Sequence, residues 1–255
     1  MKNRSAIPLP ANDFYDEISD FYEKMIDFDK NLELRINAYQ KKFSVKGKAA
    51  DLGCGVGLDS LALAINGHDV TSFDISPKMI EETNRNAAKY NVKLKTHVHS
   101  FSTVPKKFTR KFNYVISVGN TIAHINSKDL IGAVKTMHNM LLPGGKIFLH
   151  ILNYSLIKKE NKRINNIANR EGRIIIRFYD FLKDGIDFNI LSFLQNSPKE
   201  FQLVSTRHYP HPAGEIKLHL REAGFTKIKF MKNFAGDKFS PADSKDIFIE
   251  AVKEL

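Results

Sequence analysis

A glycine-rich loop between a short apolar strand and a helix constrains the fold of this chain most. Residues 51–57 read Asp-Leu-Gly-Cys-Gly-Val-Gly, between a predicted strand at Lys48–Leu52 and a predicted helix at Ser60–Ile65. Glycine tolerates positive φ and lets a ligand approach the backbone, and a helix N-terminus offers unpaired N–H groups. Such a loop after a strand is typical of open α/β sheets, which bind ligands at the carboxyl ends of their strands.

Strand and helix patterns alternate from this loop onward. Asn66-Gly67 is a typical helix end, and Ser76-Pro77 is a typical helix start with serine as N-cap. Ser127 is predicted to be the N-cap of another helix, which ends at Pro143-Gly144-Gly145. The alternation predicts a parallel sheet with helices on both faces. Its further strands are predicted at Val70–Phe73, Val92–Val98, Phe112–Val118 and Lys146–Leu152.

The flanking segments have different patterns. Residues 14–26 carry an apolar helical stripe behind a predicted N-cap at Asp13, and a second helix is predicted over Leu32–Phe43. After Tyr154 the helices stop, and three strand patterns follow one another, which predicts an antiparallel insertion. These strands are Arg173–Phe181, Phe188–Leu194 and Phe201–Tyr209; a helix at Glu215–Ala223 and strands at Thr226–Phe230 and Ile247–Val252 complete the chain.

We therefore expect an α/β fold with a doubly wound, Rossmann-like, mostly parallel seven-stranded sheet, an N-terminal helical cap and an antiparallel β insertion. The expected organisation is a single domain over the 255 residues. Its parts are a cap at 1–44, a cofactor-binding core at 45–153, the insertion at 154–212 and the C-terminal part of the sheet at 213–255.

Composition bears on the partners. The formal net charge is +11, which can attract nucleic acid. However, the basic residues are spread along the chain, with the densest stretch at Lys158–Arg177, and no nucleic-acid motif is present. We therefore expect a solvated edge there and no nucleic-acid partner. With no long apolar run and no secretory leader, we expect no membrane partner and a cytoplasmic location. The oligomeric state stays open.

Two aspartates accompany the glycine loop. Asp51 ends the first strand, and Asp74 ends the second strand, where a carboxylate can accept the ribose hydroxyls of an adenosine. A dinucleotide loop reads G-x-G-x-x-G, whereas this loop reads G-x-G-x-G and is followed by Asp59, a poor neighbour for a pyrophosphate. An acidic residue suits a ligand with an ammonium and a sulfonium group better. The residues thus favour S-adenosylmethionine over NAD as cofactor.

These motifs resemble those of the class I S-adenosylmethionine-dependent methyltransferases. Asp-Leu-Gly-Cys-Gly-Val-Gly is similar to their first motif, and Ser72–Met79 is similar to the acidic ribose motif and the helix after it. Within that class, Gly119–His124, reading Gly-Asn-Thr-Ile-Ala-His, resembles the glycine/sarcosine N-methyltransferase group. The resemblance implies cofactor contacts from Asp51, Gly53, Gly55, Gly57, Asp74, Ile75, Met79, Ser100, Phe101 and Val118.

The resemblance also implies that Asn120 points into the substrate pocket. The group has an arginine at the end of strand five that clamps the substrate carboxylate, but this chain has Leu152 there. Leucine cannot replace a guanidinium–carboxylate pair. We therefore expect an acceptor that lacks a carboxylate, or whose carboxylate is held by another cation such as Arg207.

Methyl transfer from a sulfonium is an in-line displacement, for which the protein aligns the reactants and excludes water. His124 is the leading candidate for a base, since the pKa of an unperturbed histidine suits proton removal at neutral pH. Tyr15 or Tyr22 in the cap can offer a ring face or a hydroxyl near the sulfonium. His208 and His211 lack neighbouring cysteines or carboxylates in the sequence, so we expect no metal site.

The sequence thus predicts a methyltransferase that acts on a small-molecule amine or hydroxyl, with Asn120, His124 and Tyr15 at the catalytic site. Two alternatives remain at this stage. One is an RNA or protein methyltransferase that uses the basic surface, although the chain lacks the N/D-P-P-Y/F run typical of base-amine methyltransferases. The other is a non-catalytic protein that binds the cofactor.

Overall fold

A seven-stranded sheet lies at the centre of the computed structural model, which describes residues 7–254. A separate four-stranded antiparallel sheet follows it in the chain. The expected fold class is confirmed. The strands are β1 Lys48–Leu52, β2 Asp69–Asp74, β3 Lys95–Val98, β4 Phe112–Ser117, β5 Leu141–Leu152, β6 Ile164–Arg170, β7 Arg173–Phe181, β8 Ile186–Leu194, β9 Ser197–His208, β10 Phe225–Met231 and β11 Asp246–Lys253.

The helices form the cap and the layers that cover the large sheet. They are α1 Ala11–Ile26, α2 Phe28–Lys42, α3 Leu58–Ile65, α4 Pro77–Lys89, α5 Ser127–Met140, α6 Tyr154–Lys159 and α7 Ala213–Glu222. Among the described residues, no helix combines the length and the apolar character needed to span a membrane. The outermost residues of the expected divisions, 1–6 and 255, lie outside the described part of the chain.

The strand order of the large sheet sets the position of the ligand crevice. The order is β10-β11-β5-β4-β1-β2-β3, and only β11 runs against its neighbours. β1 pairs in parallel with β2 on one side and with β4 on the other, so the connections after β1 and β4 leave the sheet at a switch in strand order. Open α/β sheets bind ligands at this place.

Helix starts follow local hydrogen bonding, and one prediction of a cap is confirmed. Ser76 precedes α4, and its Oγ accepts the Met79 N–H at 3.0 Å. The predicted N-cap at Asp13 is wrong, because α1 begins at Ala11 and Pro10 occupies the cap position. The structure thus starts the cap helix earlier than the apolar stripe indicates.

The predicted N-cap at Ser127 is also wrong. Asn126 caps α5, because its Oδ1 accepts the backbone N–H groups of Lys128 and Asp129, each at 3.0 Å. The helix ends at Met140, before the Pro-Gly-Gly run, which lies inside the long strand β5. The Pro-Gly-Gly run therefore forms an irregular part of β5, with Gly144 at φ +74, instead of ending the helix.

The antiparallel sheet is larger than the sequence predicted. Its order is β6-β7-β8-β9, and β6 lies within the basic stretch that was expected to be a solvated edge. β6 was not predicted because its sequence lacks the regular alternation of apolar and polar residues that indicates a strand. It reads Ile-Asn-Asn-Ile-Ala-Asn-Arg. Leu9 connects this sheet to the cap, because its N–H donates to the Ser205 carbonyl at 2.8 Å.

A buried carboxylate anchors the helix α2 to the helix that follows the glycine loop. Asp59 in α3 accepts a hydrogen bond from the Tyr39 hydroxyl, and its Oδ1 lies 2.9 Å from Nε of Arg35. Tyr39 is fully buried, and burial together with the charge of Asp59 raises the pKa of its hydroxyl, so the tyrosine remains a donor. The sequence reading treated Asp59 as a neighbour for a ligand ammonium group, whereas the structure pairs it with two residues of α2.

We predict that Tyr39→Phe lowers the free energy of unfolding by about 1.5–3 kcal/mol, the usual worth of a hydrogen bond to a charged group. Urea denaturation measures the change. Tyr90→Phe is the matched control, because Tyr90 also donates to a carboxylate, that of Asp29, at an exposed site. Its expected loss is below about 1 kcal/mol. Equal losses for the two variants would contradict the anchoring role of Tyr39.

Candidate active site

A cavity of about 1310 Å³ opens at the carboxyl ends of β1, β2 and β4. The glycine loop forms its floor, α1 and α2 form one wall, and residues of β6 and β7 form another. Nine of the predicted site residues line it. They are Tyr15, Gly53, Gly55, Asp74, Ile75, Ser100, Phe101, Val118 and His124.

The three glycines of the loop all have positive φ, but only two of them line the cavity. Gly53 has φ +75, and a Cβ there would lie 2.1 Å from Thr121 Cγ2, so no larger residue fits. A Cβ on Gly55 would enter open space, with Tyr22 Cε1 as the nearest atom at 3.9 Å. Gly57 is placed away from the cavity and packs against Thr83 of α4.

The Asp74 carboxylate fixes the loop from the neighbouring strand. Its Oδ2 accepts the Gly55 N–H at 2.8 Å, and its Oδ1 accepts the Ser76 N–H at 2.9 Å. Burial raises the pKa of Asp74, while these backbone donors oppose the rise by stabilising the charged form. Each carboxylate oxygen has capacity for a further donor, so the group can accept hydroxyls from a ligand in the cavity.

Asp51 lies behind the loop, outside the cavity lining. Its Oδ2 accepts the Ser60 hydroxyl at 2.7 Å, and the residue is 1% exposed. Burial and the neighbouring charge of Asp59 raise the pKa of Asp51 to about 8. The structure therefore gives this carboxyl a position under the loop, where it contacts the start of α3.

Two other predicted residues are placed away from the cavity. Met79 is fully buried in the core. The Asn120 side chain was expected to point into the pocket, but it lies behind the wall. There its Oδ1 accepts the Leu152 N–H at 3.0 Å and its Nδ2 donates to the Tyr154 hydroxyl at 2.7 Å. The reason is local, because Asn120 has φ +73 and its amide joins the ends of β4 and β5.

Tyr15 and His124 meet at the cavity wall although they are far apart in sequence. The Tyr15 hydroxyl lies 2.9 Å from Nε2 of His124. Behind this pair, the His208 ring packs edge-on against His124 with centroids 4.6 Å apart, and His208 Nδ1 lies 2.8 Å from the Tyr154 hydroxyl. The four side chains form a polar chain that reaches from α1 to α6, half-buried at Tyr15 and His124 and buried at His208 and Tyr154.

Burial keeps this chain uncharged. It lowers the pKa of His124 to about 4 and the pKa of His208 well below its ordinary value, while it raises the pKa of Tyr15. From its residue type alone, His124 is predicted to have a pKa near neutral pH. Desolvation overrides that value, so the imidazole is neutral at pH 7 and remains so in mild acid.

Several lining residues were missed by the sequence reading. Asn166, Arg170 and Arg177 of the antiparallel sheet line the cavity, although the sequence places them in a predicted solvated edge. Tyr22, which was a candidate for a contact near the sulfonium, lines the cavity as well. The cation considered from the sequence, Arg207, lies outside the lining and pairs with Asp187 at 2.6 Å. No local pattern in the sequence distinguishes Arg177 from Arg207; the sheet geometry does.

The site fits S-adenosylmethionine on three observations. The space beside Gly55 accepts a ligand close to the backbone, and the Asp74 carboxylate has free acceptor capacity next to it. Ser100 and Phe101, which follow β3, also line the cavity. A nucleoside lying across the ends of β1 and β2 would meet each of these groups.

Comparisons with known proteins agree with this reading. Residues 49–145 match the family model of a methyltransferase domain. A glycine/sarcosine N-methyltransferase of Parasynechococcus marenigrum is 25% identical over 90% of this chain and 81% of its own length. A ubiquinone biosynthesis O-methyltransferase of Xanthomonas oryzae is 26% identical over 47% of this chain and 49% of its own length.

A solved structure shares the fold. An S-adenosylmethionine-dependent methyltransferase from Clostridium acetobutylicum superimposes with a TM-score of 0.76 and 17% identity, over 94% of this chain and 99% of the other. The fold and the loop–carboxylate arrangement define a Rossmann-like nucleoside-binding enzyme. The matched domain, the relatives and the shared fold together support a class I S-adenosylmethionine-dependent methyltransferase, with S-adenosylmethionine as its cofactor.

The neutral histidines predict a loss of stability in mild acid. The pKa of His124 is about 4 in the folded protein and 6.5 as the ordinary value, so the unfolded chain binds the proton first as pH falls. The contribution of His124 is fully present above pH 6.5. It falls by about 2–3 kcal/mol as pH drops toward 4, from 1.36 kcal/mol per pKa unit.

Urea denaturation between pH 7.5 and 4.5 tests this stability effect. We expect His124→Gln to flatten the pH dependence of the free energy of unfolding. His219→Gln is the control, because His219 pairs with Glu222 on the surface of α7. A pH dependence that is the same in His124→Gln and in the unmodified protein would contradict the neutral, buried state of His124.

Proposed function

We propose that this methyltransferase transfers the methyl group to an amine or hydroxyl of a small molecule, bound between the glycine loop and α1. The observation that carries the proposal is the Tyr15–His124 pair on the wall of the cavity. The cavity is walled by α1, α2 and the antiparallel sheet, and its volume of about 1310 Å³ suits a cofactor together with a small acceptor.

We assign the cofactor residues from their positions. Asp74 accepts the ribose hydroxyls, Gly53 and Gly55 form the surface along the amino acid end, and the Val118 backbone contacts the same region. Ile75, Ser100 and Phe101 surround the adenine. Residues behind the lining support this surface: Asp51 and Gly57 hold the loop against α3 and α4, and Met79 fills the core beneath it.

The cofactor, when bound, supplies a methyl group already activated by the adjacent sulfonium. The chain then has to orient the acceptor and to exclude water. Tyr15 can accept a hydrogen bond from the acceptor N–H or O–H while its own hydroxyl donates to His124 Nε2. Because both side chains are neutral and desolvated, they favour the uncharged, nucleophilic form of an amine over the ammonium form.

The proton that the acceptor loses passes to this pair. Tyr15 bridges the acceptor to His124, and the proton passes through this pair to solvent, because an imidazole with a pKa of about 4 does not retain it at neutral pH. The low pKa of His124 makes it a weaker base than the sequence reading assumed. Its main contribution is therefore to fix the Tyr15 hydroxyl, and Asn120 acts further back by holding Tyr154 and the end of β5.

We propose that the acceptor differs from that of the glycine/sarcosine relatives. Leu152 ends β5 with an apolar side chain where a guanidinium would grip a carboxylate in that group. A methyl-transfer assay with labelled cofactor over a panel of small amines and hydroxyl compounds tests the acceptor class. Rapid turnover of glycine or sarcosine would contradict the exclusion of these compounds.

The ribose assignment predicts that Asp74→Asn weakens S-adenosylhomocysteine binding by roughly 10- to 100-fold, because hydrogen bonds to a charged acceptor are worth about 1.5–3 kcal/mol. Isothermal titration calorimetry measures the dissociation constant. Asp69→Asn is the matched control, because Asp69 begins the same strand and pairs with Lys95 at the exposed end. An unchanged constant in Asp74→Asn would refute the assignment.

Tyr15→Phe is predicted to lower kcat by about 100-fold for an accepted substrate, the lower range for a positioned proton-transfer group. The dissociation constant of S-adenosylhomocysteine should stay the same. Tyr209→Phe serves as the control, since Tyr209 follows β9 and does not line the cavity. If the two variants have equal kcat values, Tyr15 has no role in the transfer.

A further inference from the structure

We propose that the Arg177 guanidinium binds an oxyanion group of the acceptor, a carboxylate or a phosphate, on the cavity wall formed by the antiparallel sheet. This inference rests on the proposed function, because the acceptor occupies the same cavity. It assigns to the acceptor a charged end that is recognised away from the glycine loop.

Arg177 differs from the other arginines of the cavity in that it has no ion-pair partner among the described residues. Three arginines line the cavity, and two of them have carboxylate partners: Arg35 lies 2.9 Å from Asp59, and Arg170 lies 3.4 Å from Asp27. Arg177 has no carboxylate within 4.0 Å in the part of the chain that the structure describes. Its Nε is buried and has no hydrogen-bond acceptor there either.

The second observation is the placement of donors in the sheet. Arg177 in β7 is the register partner of Asn166 in β6, so the two side chains lie on one face of the antiparallel pair. Arg170 lies four residues further along β6, on the same face by strand alternation. All three residues line the cavity, which makes this wall a surface of guanidinium and amide donors.

Physical chemistry favours an anion at this wall. A half-buried guanidinium whose Nε is inaccessible and unpaired is costly, and the nearby positive charge of Arg170 adds repulsion. The flat fork of an arginine matches the two oxygens of a carboxylate or a phosphate and gives a bidentate pair. An oxyanion of the acceptor would therefore both satisfy Arg177 and orient the acceptor in the cavity.

The position of Arg177 allows an anionic acceptor to bind even though Leu152, at the end of β5, is apolar and cannot hold an anion. The end of β5 offers no cation, whereas β7 offers one on a different wall, contributed by another sheet. An acceptor held at Arg177 would reach the cofactor from the side of α1, since Tyr22 of α1 and Arg177 line the same cavity. The charged end and the methylated end would then be separate parts of the acceptor.

Nuclear magnetic resonance of the arginine Nε–Hε groups tests this proposal directly. Acetate and inorganic phosphate are titrated into the protein at constant ionic strength, with and without saturating S-adenosylhomocysteine. We expect a saturable shift of the Arg177 signal, which is identified by its absence in Arg177→Gln. A tighter response to acetate assigns a carboxylate, and a tighter response to phosphate assigns a phosphate; each supports the proposal.

Two variants complete the design. Calorimetric affinity for the better anion should fall by about 10- to 100-fold in Arg177→Gln, the range for losing a charge-assisted hydrogen bond. It should be unchanged in Arg173→Gln, because Arg173 lies on the same strand but stacks over Phe21 outside the lining. Arg177→Lys, which keeps the charge without the fork, should give an intermediate affinity and guards against a folding defect.

The proposal is overturned if neither anion gives a saturable shift, or if Arg173→Gln loses as much affinity as Arg177→Gln. Failure of the proposed function has a different result. In that case the anion binds at Arg177, but no small amine or hydroxyl compound, anionic or neutral, accepts a methyl group.

Discussion

The hydrogen bonds of the Asp74 carboxylate are the interaction on which the rest of the site depends. They connect the end of β2, the middle of the glycine loop and the start of α4, through the N–H groups of Gly55 and Ser76. The loop has glycine at the positions where φ is positive, so its shape is not fixed by side-chain packing alone. The carboxylate supplies that constraint and still presents oxygens to the cavity.

The wall opposite the loop is built in another way. α1 is held between two structures: Leu9, just before it, pairs with the antiparallel sheet, and Asp16 accepts a hydrogen bond from Ser76 near the loop. α2 is fixed by the buried group of Tyr39, Arg35 and Asp59. The cap is therefore joined to the sheet edge by polar contacts that are shielded from water.

Much of the large sheet was predictable, because its strands are short apolar runs that end at glycine, proline or a capping residue. In the large sheet β1 at Lys48–Leu52 has the predicted bounds, and so does β7 at Arg173–Phe181 in the antiparallel sheet. β6 escaped prediction because its residues are mostly polar and its partner strand supplies the apolar face. Propensity and periodicity are local, whereas strand pairing is set by tertiary contacts.

The site was predictable where a residue type and a strand end coincide, as at Gly53, Gly55 and Asp74, which line the cavity. Asn120 shows the limit of this reasoning, since a residue after a strand was expected to face the ligand and instead faces the neighbouring strand. His124 shows another limit, because sequence gives its identity but not the burial that keeps it neutral. Arg177 required the fold itself, since the strand register brings it beside Asn166.

The strand that carries Arg177 lies far along the chain from the glycine loop. The residues on the side of the glycine loop come from the connections after β1 to β4. Those on the opposite side come from α1, β6 and β7. Substitutions in β6 and β7 leave the hydrogen bonds of the loop side in place, because those bonds join residues of α1 and of the connections after β1 to β4. Under the proposed function, substitutions in β6 and β7 can therefore change which compound accepts the methyl group, while the residues that hold the cofactor stay the same.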